Sequence, residues 1–499
     1  MRIILFFGFV CISLVSTFSQ NVKKTFKLNN RYSDVHSHVD VNDNLSLLFL
    51  RGKRGEFKVF NNRFEIVAGR NFVIPKFDNK AEFLDLVNEK NGLKFFYINP
   101  RKKTITSIYL EKSMNSEPYQ NNAMVLESNE HFVAAFNHHE RFHVLSHLIN
   151  TDILRLSVFL PTGEIEKIDL ATGLKNLSKL LNKETYEFDF KFAHYGVENM
   201  NRININPFLK STSEKKLFTY GKKLVITIDD PGKTTLIEVN LVTAQVKSKE
   251  YHFHLDKCSD DNIVSGISNF HNGFLMRLTY CKDQLNYSII ETDSSILRRN
   301  FNVYKDEPIE FKNTVVTQTI DHDGYRETET YVVENSSKFL RTLDDLKLSI
   351  HTTKMSVDQL HVKIGGVRQS IGSVYSSTGN RGGTGLPLGL SMGMGMGIGG
   401  GGFGMGPGIG MSPFGSPFAT SQNYLKVNTC SFVSLVSFPD FEHLEGSAGL
   451  TLAEKAVKFS QSKGNFSDIL GIFEGNENKI IYGYLSGKDD LYNIIEFTR

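Results

Sequence analysis

Residues 139–143 read His-Glu-Arg-Phe-His, which matches the H-E-x-x-H spacing of zinc hydrolases. In such enzymes two histidines one helical turn apart bind zinc, and the glutamate activates water. This chemistry needs a helix, because only a helix brings residues i and i+4 side by side. The flanking runs HFVAAF (131–136) and FHVLSHLI (142–149) are instead typical of strands. We therefore expect a hairpin in which His139 and His143 do not bind zinc, with a zinc hydrolase as the alternative.

A second candidate metal site is a run of methionines in a glycine-rich stretch. Met392, Met394 and Met396 recur at every second residue, and thioether sulfur selects Cu(I) over harder metals. No charged residue occurs from Gly382 to Leu425. Glycine loses much backbone entropy on ordering and brings no side chain to bury, so the pattern favours a flexible insertion. Copper binding and an adaptable apolar surface for adhesion are the two alternatives.

Two further short motifs are interpreted as turns. The run from Thr319 to Gly324 resembles the start of a calcium-binding loop but lacks the carboxylates of its first and last positions. Gly232-Lys233-Thr234 resembles the end of a phosphate loop, but the first glycine of that motif is missing. Both segments lie between strand-like runs, so the sequence predicts hairpins at both places.

Most of the chain predicts β-strands. Runs rich in Val, Ile, Phe, Tyr and Thr recur between short polar turns. They are residues 45–50, 93–98, 131–136, 223–228, 273–278, 314–320, 431–436 and 479–485. Their spacing of about 40 to 50 residues, or about twice that, is typical of four-stranded propeller blades. The predicted fold is an all-β β-propeller with a few decorating helices, and a tandem β-sandwich is the alternative.

Two segments have helical patterns. Residues 78–92 combine a potential N-cap, Asp78, with apolar residues at helical spacing, and residues 451–464 begin with the capping-box pair Thr451 and Glu454.

A propeller ring is commonly closed by pairing its two ends, which removes an exposed strand edge. We therefore expect residues 24–28 to pair with the C-terminal hairpin.

The N-terminus and the cysteines indicate export. Residues 1–19 combine a basic residue, a short apolar run and a small-x-small ending, which is typical of a signal peptide. Three cysteines follow it, so either Cys258 pairs with Cys281 and Cys430 stays free, or all three are buried thiols. The predicted organisation is a signal peptide (1–19), the N-terminal part of the ring (20–368), a Gly/Met-rich insertion (369–424) and a closing C-terminal part (425–499).

A family resemblance can be stated from three segments. They are YSDVHSHVDVNDNLSLLFL, LESNEHFVAAFNHHERFHVLSHLINTDILRLSVF and the ending DDLYNIIEF. Together they resemble uncharacterised exported, β-rich proteins of Bacteroidota. The resemblance implies a fold type and a periplasmic, cell-surface or secreted location. It implies no activity, and the Gly/Met-rich stretch is a departure from that group.

The leading functional interpretation is an exported, non-enzymatic binding or assembly module. The formal charge of +3 on 499 residues is too small to imply a nucleic-acid or membrane-surface partner. No segment after the N-terminal run is long and apolar enough to span a bilayer. The sequence indicates no cofactor and no convincing catalytic set. The expected partner is a protein or a glycan.

Overall fold

The structure is a computed structural model. It describes residues 21–30, 32, 34–74, 81–99, 101–112, 117–182, 197–201, 207–259, 262–321, 328–375, 421–462, 470–473, 479–486 and 491–498. The signal-peptide prediction for residues 1–19 therefore lies outside the described residues. No helix in the described ranges has the length and apolar character needed to cross a bilayer.

The described chain is all-β and forms seven sheets of four or five strands. The first three sheets, in chain order, contain β2 (Asp34–Val39), β3 (Leu45–Arg51), β4 (Arg54–Phe60), β5 (Ile66–Val73); β6 (Glu82–Glu89), β7 (Gly92–Asn99), β8 (Thr104–Glu111), β9 (Tyr119–Val125); and β10 (Glu130–His138), β11 (Arg141–Leu148), β12 (Ile153–Phe159), β13 (Ile165–Ala171). The fourth and fifth contain β14 (Glu198–Asn199), β15 (Lys215–Tyr220), β16 (Lys223–Asp230), β17 (Lys233–Asn240), β18 (Val246–His252); and β19 (Ser265–His271), β20 (Phe274–Cys281), β21 (Gln284–Glu291), β22 (Ile296–Tyr304). The sixth contains β23 (Thr317–Asp321), β24 (Glu329–Val332), β25 (Lys347–Ser356), β26 (Gln359–Tyr375) and β27 (Ser421–Ser437), in the order β24-β23-β27-β26-β25. The seventh contains β28 (Leu470–Phe473), β29 (Lys479–Ser486), β30 (Leu491–Thr498) and the N-terminal β1 (Asn21–Lys27). Four short helices accompany them: α1 (Leu177–Asn182), α2 (Pro207–Lys210), α3 (Ser336–Leu343) and α4 (Leu452–Ser462).

Central strands are buried on both faces, which explains their continuous apolar sequences. In β16 every residue from Leu224 to Asp229 is buried, and β11 is buried from Phe142 onward. A strand covered on both faces shows an apolar run and not an alternation. The outer strands β13 and β18 are mostly exposed. Each of the eight predicted strand runs overlaps a strand of the structure.

Hydrophobic clusters join consecutive sheets. The cluster between the seventh and first sheets includes Phe26, Phe49 and Tyr492, and similar clusters lie between the first and second, second and third, third and fourth, fourth and fifth, and fifth and sixth sheets. Edge strands of several consecutive sheets are also neighbours, since β28 lies near β2, β2 near β6, β6 near β10, and β19 near β25.

The N-terminal strand pairs with the C-terminal strand, as predicted. β1 runs antiparallel to β30, with Asn21 opposite Glu496 and Lys27 opposite Leu491. Phe26 packs between Phe49 and Tyr492, with ring centroids 6.1 and 5.5 Å away. The chain ends therefore form one edge of the seventh sheet together.

One of the two helix predictions is wrong and the other is confirmed. Residues 82–89 form β6, and a bulge between Phe83 and Asp85 shifts its register. Phe83 and Leu86 consequently join one cluster, while Val87 joins the cluster on the other side. This bulged strand has the three-residue spacing that mimics a helix. Its proposed N-cap, Asp78, lies outside the described residues.

The helix predicted at residues 451–464 is α4, which begins at Leu452. The backbone N–H of Glu454 donates to Thr451 Oγ1 at 3.2 Å, and the backbone N–H of Thr451 donates to Glu454 Oε2 at 2.9 Å. These reciprocal bonds are the predicted capping box.

The cysteines follow the first of the two alternatives. Cys258 and Cys281 are joined in a disulfide, with their Cα atoms 6.7 Å apart. Cys430 is free and buried, and burial raises the pKa of its thiol to about 12. Cys430 is therefore a protonated core residue at neutral pH.

Candidate functional site

The His-Glu-Arg-Phe-His segment is a β-hairpin, as the flanking strands predicted. His139 and Glu140 form its two-residue turn with φ angles of 48° and 59°. His138 lies opposite Arg141, and Phe136 lies opposite His143. The two histidines of the motif are therefore separated by a turn and a strand step and not by one turn of a helix.

The two strand histidines have protein partners. His143 is buried, its Nδ1 lies 2.9 Å from the carbonyl oxygen of Arg141, and its ring stacks on Phe136 at 5.0 Å. Burial lowers the pKa of His143 to about 4. His147 is also buried, with Nε2 3.0 Å from the carbonyl oxygen of Thr151, and burial lowers its pKa too. Both rings are neutral at pH 7 and belong to the sheet. Within the ranges that the structure describes, no three His, Cys, Asp or Glu side chains are placed to hold a metal ion.

The turns that begin the first three sheets meet at one end of the molecule. The Oε1 atom of Glu140 lies 3.5 Å from the backbone N–H of Val41, and Asn88 donates to Asp40 Oδ2 at 2.7 Å. Burial raises the pKa of Asp40, but hydrogen bonds from Asn44 and Asn88 outweigh burial and the net shift is downward. This end therefore holds an ionised Asp40 carboxylate whose two oxygens accept four hydrogen bonds from Asn42, Asn44 and Asn88, which gives the carboxylate a structural role in the turn cluster.

A two-stranded ribbon extends from the sixth sheet. β25 pairs with β26 only as far as Val367, and the described part of β23 pairs with β27 only as far as Val427. β26 and β27 continue to pair with each other up to Tyr375 and Ser421. We call this paired segment, residues 370–375 and 421–426, the ribbon. At about 3.3 Å per residue it is on the order of 20 Å long.

The ribbon occupies both ends of the predicted insertion. Pairing continues through residues 369–375 and 421–424 of the predicted range 369–424. Met392, Met394 and Met396 lie outside the described residues, so the structure does not test the copper alternative. What the structure contributes is the base of the stretch, which is a regular antiparallel ladder.

The segment that resembled a phosphate loop is the turn between β16 and β17. The backbone carbonyls of Asp230, Pro231 and Lys233 all accept hydrogen bonds from the Arg277 guanidinium, at 2.5, 2.7 and 3.0 Å. A phosphate loop points backbone N–H groups at an anion. This turn points carbonyl oxygens at a cation, which is the opposite polarity.

The same turn belongs to a buried ion cluster that the sequence reasoning missed. Asp229 accepts from Lys216 Nζ at 3.0 Å, from Arg277 Nη1 at 3.1 Å and from the backbone N–H of Ser268 at 2.9 Å. The side chains of Lys216, Asp229 and Arg277 are fully buried. Burial raises the pKa of Asp229, but the two cations outweigh it and the net shift is downward. The cluster links the fourth and fifth sheets, which gives it a structural role.

The turn predicted at Asp323-Gly324 lies outside the described residues. The strands beside it, β23 and β24, are antiparallel partners, with Thr317 opposite Val332. This pairing agrees with a hairpin and gives no sign of a helix-flanked calcium loop.

No protein-family model matches the chain, and no curated protein matches it. Among solved structures, a luciferin-regenerating enzyme has a TM-score of 0.26 at 8% identity, over 68% of this chain and 88% of that protein. Prolyl oligopeptidase B from Galerina marginata has a TM-score of 0.28 at 8% identity, over 68% of this chain and 46% of that protein. The major Malassezia sympodialis allergen Mala s 1 has a TM-score of 0.26 at 10% identity, over 64% of this chain and 89% of that protein. Likenesses this distant carry no conclusion about this chain.

Proposed function

We propose that the chain is an exported β-propeller of seven blades that acts as a non-enzymatic binding or assembly module. Seven sheets in chain order, antiparallel except where β14 joins β15, and the pairing of β1 with β30 support the propeller. The alternative of tandem β-sandwiches is less favoured, because each sandwich sheet buries one face, whereas consecutive sheets here are buried on both sides. The export pattern of residues 1–19 and the disulfide between Cys258 and Cys281 support an oxidising location.

The ribbon is the observation that carries the binding role. It continues beyond the last pairs that β25 and β23 make with their neighbours, and it brings Tyr375 and Ser421 together at its end. The residues between those two ends are uncharged from Gly382 onward and rich in glycine and methionine. Unbranched methionine on a glycine chain gives an adaptable apolar surface that suits varied partners. The ribbon thus supports a role in presenting this stretch to a protein or glycan partner.

The experiment compares capture by the intact protein with capture by a variant in which residues 379–418 are replaced by a short Gly-Ser linker. The control variant replaces the exposed turn at Thr162-Gly163, which joins β12 to β13. We expect partners from the producing cell to bind the intact protein and the control but not the linker variant. A captured partner is then purified and titrated against all three proteins.

Equal affinity of the partner for the intact protein and the linker variant would rule out the presenting role. Export is tested separately, by fractionation of the producing cell and by mass spectrometry of the mature N-terminus. We expect a chain that begins at Gln20 outside the cytoplasm. Cytoplasmic protein that still carries residues 1–19 would contradict export.

A further inference from the structure

The strand β26 has one open edge. Its pairing with β27 continues without a register shift from Gln359 to Tyr375, whereas its pairing with β25 ends at Val367. β25 begins there because the preceding chain forms the turn that follows α3, in which the backbone N–H of Leu346 donates to the carbonyl oxygen of Leu343. Among described residues, the edge of β26 beyond Val367 therefore has no neighbouring strand on the β25 side.

The backbone groups that face this open edge follow from the hydrogen bonds of the sheet. The carbonyl oxygen of Val433, on β27, accepts from the backbone N–H of Asn313, which lies on the far side of β27 from β26. Lys363 is opposite Val433, so its own backbone groups point towards β25. Alternate residues of a strand point their backbone groups to the same side. Beyond Val367, the residues of β26 that face the open edge are Gln369, Ile371, Ser373 and Tyr375.

The open edge lacks the charges that protect other sheet edges. The outer strands β13, β18 and β22 carry charged residues, among them Lys167, Lys249 and Arg298, and charged side chains on an edge strand discourage pairing with another chain. The run from Gln369 to Tyr375 contains no charged residue and no proline. A two-stranded ribbon is also only marginally stable in water without a third strand. The open edge is therefore suited to accept an added strand.

A cavity lies where β25 ends and the open edge begins. Its volume is about 290 Å³, and its apolar lining consists of Leu209 on α2, Leu346 just before β25 and Val367 on β26. Pockets for small ligands begin at about 300 Å³, so the cavity has room for one large side chain. A strand added to the open edge would place one of its side chains here.

The charges around the cavity balance each other. Its lining includes two carboxylates, Asp344 and Asp345, and two cations, Lys347 and Arg368. All four residues are exposed, so water screens their charges. Equal numbers of both signs give no preference for a charged ligand. The cavity therefore suits an apolar side chain.

We propose that the open edge of β26 binds an extended peptide segment of a protein partner as an added antiparallel strand, with an apolar side chain of that peptide in the cavity. The added strand lies in line with β25, so its C-terminal end is nearest Lys347. Its backbone N–H and C=O groups pair with those of the edge, which gives affinity, and the cavity gives specificity. This inference rests on the proposed binding role and names the partner as a protein with an exposed extended segment.

The test is a fluorescence titration with a synthetic octapeptide of alternating threonine and valine whose last residue is tryptophan and whose ends are blocked. Because the chain has no tryptophan, the emission reports on the peptide alone. We expect this emission to shift saturably to shorter wavelength when the intact protein is added. Absence of a saturable shift would overturn the proposal.

Two further peptides carry N-methyl groups on the odd-numbered or on the even-numbered amides of the same sequence. An added strand donates only one of these two sets to the edge. We expect affinity to fall at least tenfold for one methylated peptide and to stay within about twofold for the other. Equal affinities for all three peptides would contradict strand addition.

The matched variants are Ser373→Pro, which removes a backbone donor from the open edge, and Ser373→Ala, which keeps that donor. We expect affinity for the peptide to fall at least tenfold in Ser373→Pro and to stay unchanged in Ser373→Ala. Thr212→Phe, which fills the cavity, should weaken binding as well and leaves the ladder of β26 and β27 untouched. Equal affinity in the intact protein, Ser373→Pro and Thr212→Phe would refute the assignment.

The variant with a Gly-Ser linker in place of residues 379–418 retains the whole ribbon. We expect it to bind the peptide as the intact protein does. Equal capture of the natural partner by this variant and the intact protein would reject the presenting role alone. Absence of peptide binding to the intact protein would reject the open edge alone, so the two failures are distinguishable.

Discussion

The buried ion cluster allows a quantitative prediction for Asp229→Asn. The carboxylate accepts five hydrogen bonds, from Lys216 Nζ, Arg277 Nη1, the N–H and hydroxyl of Ser268, and the hydroxyl of Thr234. Replacement by an amide removes the negative charge and leaves two fully buried cations facing each other. Removing one partner of a buried ion pair costs about 3 to 5 kcal/mol, because the remaining charge has lost its compensation. We expect the free energy of unfolding to fall by that amount.

The size of this effect is limited by backbone carbonyls near the cations. Lys216 also donates to the carbonyl oxygen of Ser213 at 2.5 Å, and Arg277 donates to three carbonyls of the β16–β17 turn. These acceptors keep both cations partly solvated in the variant, which favours the lower end of the range. A further change, Lys216→Met in the Asp229→Asn background, should restore part of the loss because it removes one uncompensated charge.

The assay is urea unfolding at pH 7, followed by far-UV circular dichroism or tyrosine fluorescence, since the chain has no tryptophan. With a denaturant slope of about 3 kcal/mol per molar, the midpoint should fall by roughly 1 M. Asp283→Asn is the control, because that carboxylate is exposed and lies 3.5 Å from Lys305; we expect a change within about 0.5 kcal/mol. A loss below about 1 kcal/mol in Asp229→Asn, or an equal loss in the control, would refute the reasoning. Because the pKa of Asp229 is lowered from 3.8, its contribution is complete above about pH 4 and is lost only as pH falls further.

Four other predictions follow from the fold and the site. Phe26→Ala should lower the free energy of unfolding by about 3 kcal/mol, because it removes a buried ring from the cluster that β1 shares with the first sheet. Val22→Ala, at an exposed position, should lower it by less than about 0.5 kcal/mol in the same urea assay. Burial lowers the pKa of His143 from 6.5 to about 4, so the folded state favours the neutral ring, and the free energy of unfolding should fall as pH decreases from 6.5 towards 4. In His143→Gln this dependence of the unfolding free energy on pH should be weaker by up to about 1.4 kcal/mol per pH unit. Metal analysis of the purified protein should find no tightly bound zinc. One tightly bound zinc that is absent from His143→Ala would overturn the hairpin interpretation. Replacement of residues 379–418 by a Gly-Ser linker should change the melting temperature by less than about 3 °C with or without Cu(I), because the entropy cost of loop closure depends weakly on loop length. A melting temperature lower by about ten degrees or more in the metal-free protein would show that the stretch is structural.

Sequence patterns predicted those parts of the fold whose cause is local. The central strands were recognisable because burial on both faces requires continuous apolar runs, as in residues 223–228. The capping box at Thr451 and the two-residue turn at His139-Glu140 also depend on neighbours in sequence. α3 was missed although it has a local signal, since Asn335 Oδ1 accepts from the backbone N–H of Lys338 as an N-cap.

The errors and omissions come from tertiary structure. A bulge in β6 gave Phe83 and Leu86 a helical spacing, and only the two flanking sheets show that the segment is a strand. The ion cluster could not be predicted, because Lys216, Asp229 and Arg277 stand on three different strands with no fixed spacing.

The ion cluster is the site where the loss of a single charge should matter most to the fold. Asp229 stands there between two fully buried cations, and the backbone carbonyls of a turn complete the solvation of Arg277. Lys363 differs, because that residue is only partly buried and its ammonium lies 5.0 Å from the Phe208 ring. A cation that keeps contact with solvent needs no carboxylate partner, whereas a fully buried cation does. The effect of Asp229→Asn should therefore exceed that of a change at an exposed ion pair, such as the one between Asp283 and Lys305.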